Sequence, residues 1–257
     1  MLSKNKIKFI NSIKKKKYRD IHQVFFAEGE KIIDELLKSE AEILNIFATA
    51  DWAVQQLNLS DDISQKIEII TLDELKKISA LSSPNKVLAT IKIPKTAYDK
   101  NEISNKLSIL LDDVNDPGNL GTIIRIADWF GIENIFCTKS SVELYNPKVV
   151  QATMGAIFRV NVHYVDFHEL LTEFTAIDRF NIYGTFLEGE NIYYEKLSEK
   201  GFIIMGSESH GISEKWIPYI DKKLFIPYYP TTKKTSESLN ISIATAIVCS
   251  EFRRRMI

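Results

Sequence analysis

At 257 residues, with 45% hydrophobic and 26% charged side chains and only 10 Gly and 7 Pro, the chain can fill one large core or two ordinary ones, which excludes a fibrous or disordered class. Its 33 basic and 34 acidic residues leave a formal charge of −1, so total charge carries no argument for a polyanionic partner. No apolar run approaches about 18 residues, and "MLSKNKIKFINSIKKKKYRD" lacks a secretory core, so a cytoplasmic protein with no membrane partner is expected.

The N-terminal 20 residues hold the first feature of note. Lys4, Lys6, Lys8, Lys14, Lys15, Lys16, Lys17 and Arg19 stand against Asp20 alone, a local patch that either tracks a phosphate backbone or is a solvated face. Up to about residue 95, strand patterns alternate with amphipathic helices: "VFFAEG" (24–29), "ILNIFATA" (43–50), "KIEIITL" (66–72) and "KVLATIKI" (86–93) read as strands, and "EKIIDELLKS", "DWAVQQLNL" and "LDELKKIS" as helices between them. These predict a small α/β domain over 1–95. The polar run 96–106 reads as a linker, and a second domain over 107–257 follows.

In that second domain "LSILLDD", "NIFCT", "RVNVHYV", "NIYGTF", "FIIMG" and "KLFIP" are near-continuous apolar strands separated mostly by helices. Such strands belong to a parallel sheet covered on both faces, whose ligands sit beyond the carboxyl ends. Cys137 and Cys249 fall inside element patterns without CxxC spacing, so both are expected to be reduced packing residues, and no metal site is indicated.

Three strand ends are unusual. After "ILLDDV", the turn Asn115-Asp116-Pro117-Gly118 precedes a helix for which Asn119 is the expected cap, and Arg125 lies opposite the apolar stripe Leu120, Ile123, Ile124, Ala127, Phe130. Arg125 follows Gly121 by one turn and leans toward the helix start, where a guanidinium beside free amides makes an anion site; the alternative is an ion pair with Asp128. The second end, "FIIMGSESHGIS", places Gly206 where backbone approaches closely, then Glu208 and His210, the latter a general base only if it has a partner. The third, "IPYYPTTKKTSESLNISIATAI", has a basic loop with Lys233 and Lys234, then Ser238 and Asn240 before a last helix with small early residues; each of those two side chains serves equally as an N-cap.

Together "NLGTIIRIAD-FG", "IIMGSE--HG" and "IP...ESLNISIATAI", in this order, closely resemble the three motifs of the SpoU (TrmH-type) family of RNA 2′-O-ribose methyltransferases. The intervening "NPKVVQATMGAIFRV" is similar to the family as well, and "KKKKYRDIHQVFFAEGEKIIDELL" resembles the ribosomal-protein-like RNA-binding domain that many members carry first. The resemblance implies an α/β protein of the SPOUT type, in which a small RNA-binding domain precedes a parallel-sheet domain tied in a deep trefoil knot, a topology that periodicity would never propose. It implies S-adenosyl-L-methionine as cofactor, held by backbone around Thr185, Gly206, Ile226 and Leu239, and a homodimer formed through the knotted domain. It further implies Arg125, Asn119, Glu208, Ser238 and Asn240 as catalytic positions, and RNA as substrate, ribosomal first and transfer RNA second, contacted by Lys15, Lys16, Lys17, Arg19, Lys233 and Lys234. A catalytically silent RNA-binding or ribosome-assembly protein on the same fold is the competing reading. Where many relatives carry a Gly and another small or polar residue, this chain has Ser209 and His210, and its "YYPTTKKTSE" loop is longer.

Overall fold

Alternation of side chains along the first strands accounts for the first sheet. In β1 (Val24–Glu28) Phe25 and Ala27 enter one apolar cluster while Val24 and Phe26 enter another, so the whole strand is buried between two layers. The computed structural model describes residues 1–56, 59–229 and 238–254, and the chain folds as two compact units. The first comprises residues 1–95 and 143–159. Its sheet adds β2 (Ile43–Ala48), β3 (Ile67–Ile69) and β4 (Val87–Lys92) in the order β1-β4-β2-β3, antiparallel except for the β2/β3 pair.

Residues 143–159, which the sequence-based boundaries put in the second domain, pack with the first unit. Val150 is buried in the cluster around Phe25, Ile33 and Trp52, and Tyr145, Ile157 and Phe158 pack against it. Burial of that apolar face decides the segment's place, and a polar clamp reinforces it. Arg19, buried to 3% side-chain exposure, pairs through two nitrogens with the Glu143 carboxylate and donates to the Ile13 and Lys14 carbonyls at 2.9 and 2.8 Å.

The second unit, residues 96–142 and 160–257, is built on seven strands among the described residues. These are β5 (Leu107–Asp112), β6 (Asn134–Thr138), β7 (Asn161–Val165), β8 (Asn181–Phe186), β9 (Glu190–Asn191), β10 (Gly201–Gly206) and β11 (Lys222–Phe225). Their order is β7-β6-β5-β10-β8-β11-β9, and every neighbouring pair is parallel. The two-residue β9 was not expected from its sequence; it is too short for any periodicity to register. The expected linker holds a short helix, Lys100–Ile103, capped by Asp99 and anchored by the buried Ile103.

The strand order positions the site. From β5 the chain runs outward through the Pro117–Trp129 helix to β6, whereas β10 delivers it to β11 on the other side, so the carboxyl ends of β5 and β10 flank a switch point, where open parallel sheets leave a crevice. Gly206 pairs with Asp112 there. The buried Asp112 accepts a hydrogen bond from the Ser213 amide at 2.8 Å, tying the end of β5 to the segment that follows β10. Among the described residues no helix is long and apolar enough to cross a membrane.

Candidate active site at the carboxyl ends of the strands

Asp116, not Asn119, caps the helix after β5: its Oδ1 accepts from the Asn119 amide at 2.8 Å, and Pro117 supplies the first helical position, where its missing N–H costs nothing. The correction matters because the Asn119 side chain, relieved of capping, turns elsewhere. Its Nδ2 donates to Glu208 Oε1 at 3.2 Å, and its Oδ1 accepts from Asn240 Nδ2 at 2.9 Å.

Asn240 completes the arrangement and caps the last helix, Ile241–Arg254. Its Oδ1 accepts from the Ser242 amide at 3.0 Å, the Ser242 hydroxyl at 2.6 Å and the Ile243 amide at 3.4 Å, which fixes the amide's orientation. Its Nδ2 is thereby directed at Asn119 and at Glu208 Oε1, 2.6 Å away. Glu208 Oε1 also accepts from the Ile241 amide at 3.4 Å, while Oε2 has no hydrogen-bond partner among the described residues. The three motifs therefore meet through one carboxylate oxygen.

The loop bearing Glu208 is held by close backbone approach. Ser207 and Gly211 exchange amide–carbonyl bonds of 3.1 and 2.9 Å, which folds the loop back over Gly206. A Cβ on Gly206 would lie 2.1 Å from both Gly211 C and Ile212 N, so no larger residue fits without moving the loop. His210 does have a partner: Ser209 Oγ lies 2.8 Å from its Nδ1 and 3.3 Å from Ser207 Oγ.

Arg125 is exposed and makes no hydrogen bond or ion pair among the described residues, whereas Gly121 is buried as a packing position. Ser238 is exposed and joins none of the motif contacts. Thr185, Gly206 and Ile226 lie at or just beyond the ends of the adjacent strands β8, β10 and β11; Thr185 donates to the Ile204 carbonyl at 3.2 Å, Ile226 is half-buried and Leu239 is 45% exposed. Backbone groups beside apolar side chains suit a purine nucleoside better than a polyanion.

The basic candidates divide. Lys15, Lys16 and Lys17 are exposed, with Lys16 3.0 Å from Asp20. Arg19 is a correction: its guanidinium is spent on Glu143 and two carbonyls, and burial removes it from any RNA surface. Lys233 and Lys234 lie outside the described residues. At the other end of the chain Arg253 donates to the Phe130 and Gly131 carbonyls at 2.7 and 2.9 Å, closing the end of the Pro117–Trp129 helix, and Arg254 pairs with Glu251 at 2.8 Å. Sequence reasoning missed Asp116 and Asp112; a single Asp before Pro is a recognisable cap signal, but nothing local marks Asp112 as a long-range acceptor. Both thiols are buried and free, and burial pushes Cys249 up to about 12, so neither is a nucleophile at neutral pH.

Comparison with known proteins agrees with this geometry. The SpoU rRNA Methylase family matches residues 106–250, and the MRM3-like substrate binding domain matches residues 4–89. The chain is 27% identical over 251 residues to the Bacillus subtilis 23S rRNA (guanosine(2553)-2′-O)-methyltransferase RlmP, covering 96% of each. It is similar in structure to a putative TrmH-family RNA methyltransferase from Porphyromonas gingivalis, with TM-score 0.87, 36% identity and 99% of each chain covered. An AdoMet-bound rRNA methyltransferase from Sinorhizobium meliloti gives TM-score 0.82 at 25% identity, over 100% of this chain and 97% of that one. With a family match across more than half its length and all three motifs joined at one carboxylate, the chain belongs to the SpoU methylase family.

Proposed function

We propose that the protein transfers a methyl group from S-adenosylmethionine to a ribose 2′-hydroxyl of ribosomal RNA. The observation that carries the reading is the convergence of Asn119, Glu208 and Asn240 on one carboxylate oxygen, on the unit whose Pro117–Trp129 helix also presents Arg125, which has no partner among the described residues. Ribosomal RNA is the substrate class because the relative matched over 96% of both chains bears that activity in its name. Intact Arg125, Glu208 and Asn240 argue against a silent descendant, which would have no chemical need of all three.

Thr185, Gly206, Ile226 and Leu239 fit the cofactor: three neighbouring strand ends bring backbone groups together, and Leu239 offers an exposed apolar side chain beside the motif. When bound there, S-adenosylmethionine supplies an electrophilic methyl on a sulfonium whose departure as a neutral thioether drives the displacement. The ribose hydroxyl is a weak nucleophile until its proton is taken up by a base or by solvent, so the protein's task is to fix the oxygen in line and stabilise the charge that develops on it. Arg125 serves that purpose: a guanidinium carries five N–H donors and no acceptor, so it grips the RNA phosphate and offsets oxyanion charge rather than acting as the base. Glu208, clamped by Asn119 and Asn240, fixes the loop over Gly206 and offers Oε2 as an acceptor. Exposed Lys15 and Lys17 on the first unit contact the RNA backbone, and the family's trefoil knot and homodimer complete the enzyme.

The test is transfer of tritiated methyl from S-adenosylmethionine to unmodified ribosomal and transfer RNA transcripts, with Arg125→Ala alongside. Ribose methylation removes the nucleophile for alkaline cleavage, so alkali-resistant label on ribosomal RNA, absent with the variant, is the expected result. Label on transfer RNA alone would reassign the substrate; label undiminished in the variant would remove Arg125 from the mechanism.

A further inference from the structure

The first unit contains a pocket of about 250 Å³ that lies wholly within it and takes no part in the site above. Gly29, directly after β1 and at a positive φ of +101°, lies in its lining. A side chain at Gly29 would come within 3.6 Å of Asn85 Nδ2 and 3.9 Å of Gln151 Nε2. Two primary amides therefore border the same small space, and neither has a hydrogen-bond partner among the described residues. Met154, 37% exposed, lends a polarisable thioether to the wall.

The other polar groups in the lining narrow the ligand. The Glu28 carboxylate is spent, accepting from the Ser79 hydroxyl at 2.5 Å and the Ala80 amide at 2.9 Å, and Glu30 pairs with Lys86 at 2.9 Å. Two carboxylates in the lining disfavour a buried phosphate, while Lys31, exposed and without an ion pair among the described residues, supplies one cation at the rim. The volume falls below the roughly 300–1,000 Å³ of sites that enclose drug-sized ligands, and suits a single planar ring. A side-chain amide reads such a ring at its edge, because it presents a donor and an acceptor to adjacent positions on a base.

We infer that this pocket receives one unpaired RNA base, held at its edge by Asn85 and Gln151 with its ribose-phosphate passing Lys31, and so selects single-stranded RNA for methylation. The inference rests on the RNA-methyltransferase reading and deepens it by naming a base-reading site. It also gives the segment 143–159 a purpose: packing it against the first sheet brings Gln151 to a pocket that residues 1–95 alone leave one amide short. Sequence-specific RNA recognition generally works this way, on bases splayed from loops, since the deep groove of an RNA duplex hides their edges.

The experiment follows the side-chain amide resonances of Asn85 and Gln151 in ¹H–¹⁵N spectra of the full chain, assigned by their disappearance in Asn85→Ala and Gln151→Ala. Pentanucleotides of A, C, G and U and a short RNA duplex are added in turn. Both amide pairs should shift with at least one single strand and not with duplex. In methyl transfer to an unmodified ribosomal RNA transcript, each variant should raise KM about tenfold while leaving kcat at saturating RNA and cofactor affinity at wild-type values. Unshifted amides with all four single strands, or wild-type KM in both variants, would overturn the inference. Should the wild-type chain methylate no RNA, the functional reading falls by that result, and the amide spectra still decide the pocket.

Discussion

Asn240 Nδ2 donates to Asn119 Oδ1 across 2.9 Å, joining the first turn of the Pro117–Trp129 helix to the cap of the last helix, 121 positions later in the chain. Both side chains also donate to Glu208 Oε1, so the arrangement depends on a donor on Asn240 and an acceptor on Glu208 together.

Asn240→Asp separates capping from site chemistry. Aspartate caps a helix as well as asparagine does, so the final helix should persist. It removes the donor, however, and places a second carboxylate where 2.6 Å now separates Asn240 Nδ2 from Glu208. Methyl transfer should fall at least a hundredfold while far-ultraviolet circular dichroism is unchanged; Asn240→Ala should in addition cost about 1 kcal/mol in thermal unfolding. Full activity in the Asp variant would show that the clamp on Glu208 is dispensable.

Arg125→Ala should lower kcat by about 10²–10³-fold, the usual cost of removing a group that stabilises developing negative charge. Since Arg125 is exposed and has no partner among the described residues, its removal should shift unfolding free energy by no more than about 0.5 kcal/mol. Denaturant titration beside the transfer assay checks both, and a large stability loss would mean the side chain is structural.

Arg19→Ala reverses that pattern. It leaves the Glu143 carboxylate and two carbonyls without their donor, and loss of one partner of a buried pair costs about 3–5 kcal/mol. Arg19→Met combined with Glu143→Leu should recover the part lost to the unpaired carboxylate, though not that of the two carbonyls. The salt dependence of RNA binding should match wild type in that double variant, since Arg19 makes no phosphate contact; a shallower slope would return it to the RNA surface.

Gly206→Ala puts a methyl 2.1 Å from the backbone of Gly211 and Ile212, so the loop carrying Glu208 must move. Overpacking of this kind costs about 1–3 kcal/mol. Cofactor affinity by calorimetry and transfer activity should both collapse, beyond what the loss of stability explains at a temperature where the variant is folded.

His163 gives a pH dependence. Its ring is buried, stacks on Phe136 with centroids 5.1 Å apart and lies 3.3 Å from Asn134 Oδ1; burial disfavours the imidazolium and lowers its pKa from the ordinary 6.5. As pH falls below about 6.5 the unfolded chain takes up a proton that the folded ring refuses, so stability declines until the depressed folded value is reached. Melting temperatures between pH 7.5 and 5 should therefore fall more steeply for wild type than for His163→Gln. Parallel curves would exclude His163 as the titrating group.

Much of this was legible in the sequence because burial leaves a local record. The strands 107–112, 134–138, 181–186 and 201–206 follow from near-continuous apolar runs, and their ends carry the small and polar residues that loops at ligand sites need. The cap was misassigned because Asp116 and Asn119 are both good cap residues, and Pro117 between them decides the matter only once its place as first helical residue is weighed. Arg19 looked like one more member of a basic run. Charge patterning registers sign and spacing but not the carboxylate that waits 124 positions away.

The sequence by itself determined the types of the longer elements, the three motifs and their order, since each rests on residues within one turn or one strand. Only the tertiary structure decided that Asn119, Glu208 and Asn240 share an oxygen, that Arg19 is buried, and that 143–159 belongs with the first sheet. Those outcomes depend on strand order and on which apolar faces find each other. Neither is written into any window of neighbouring residues, because the free energy that selects them comes from surfaces buried between segments far apart in the chain.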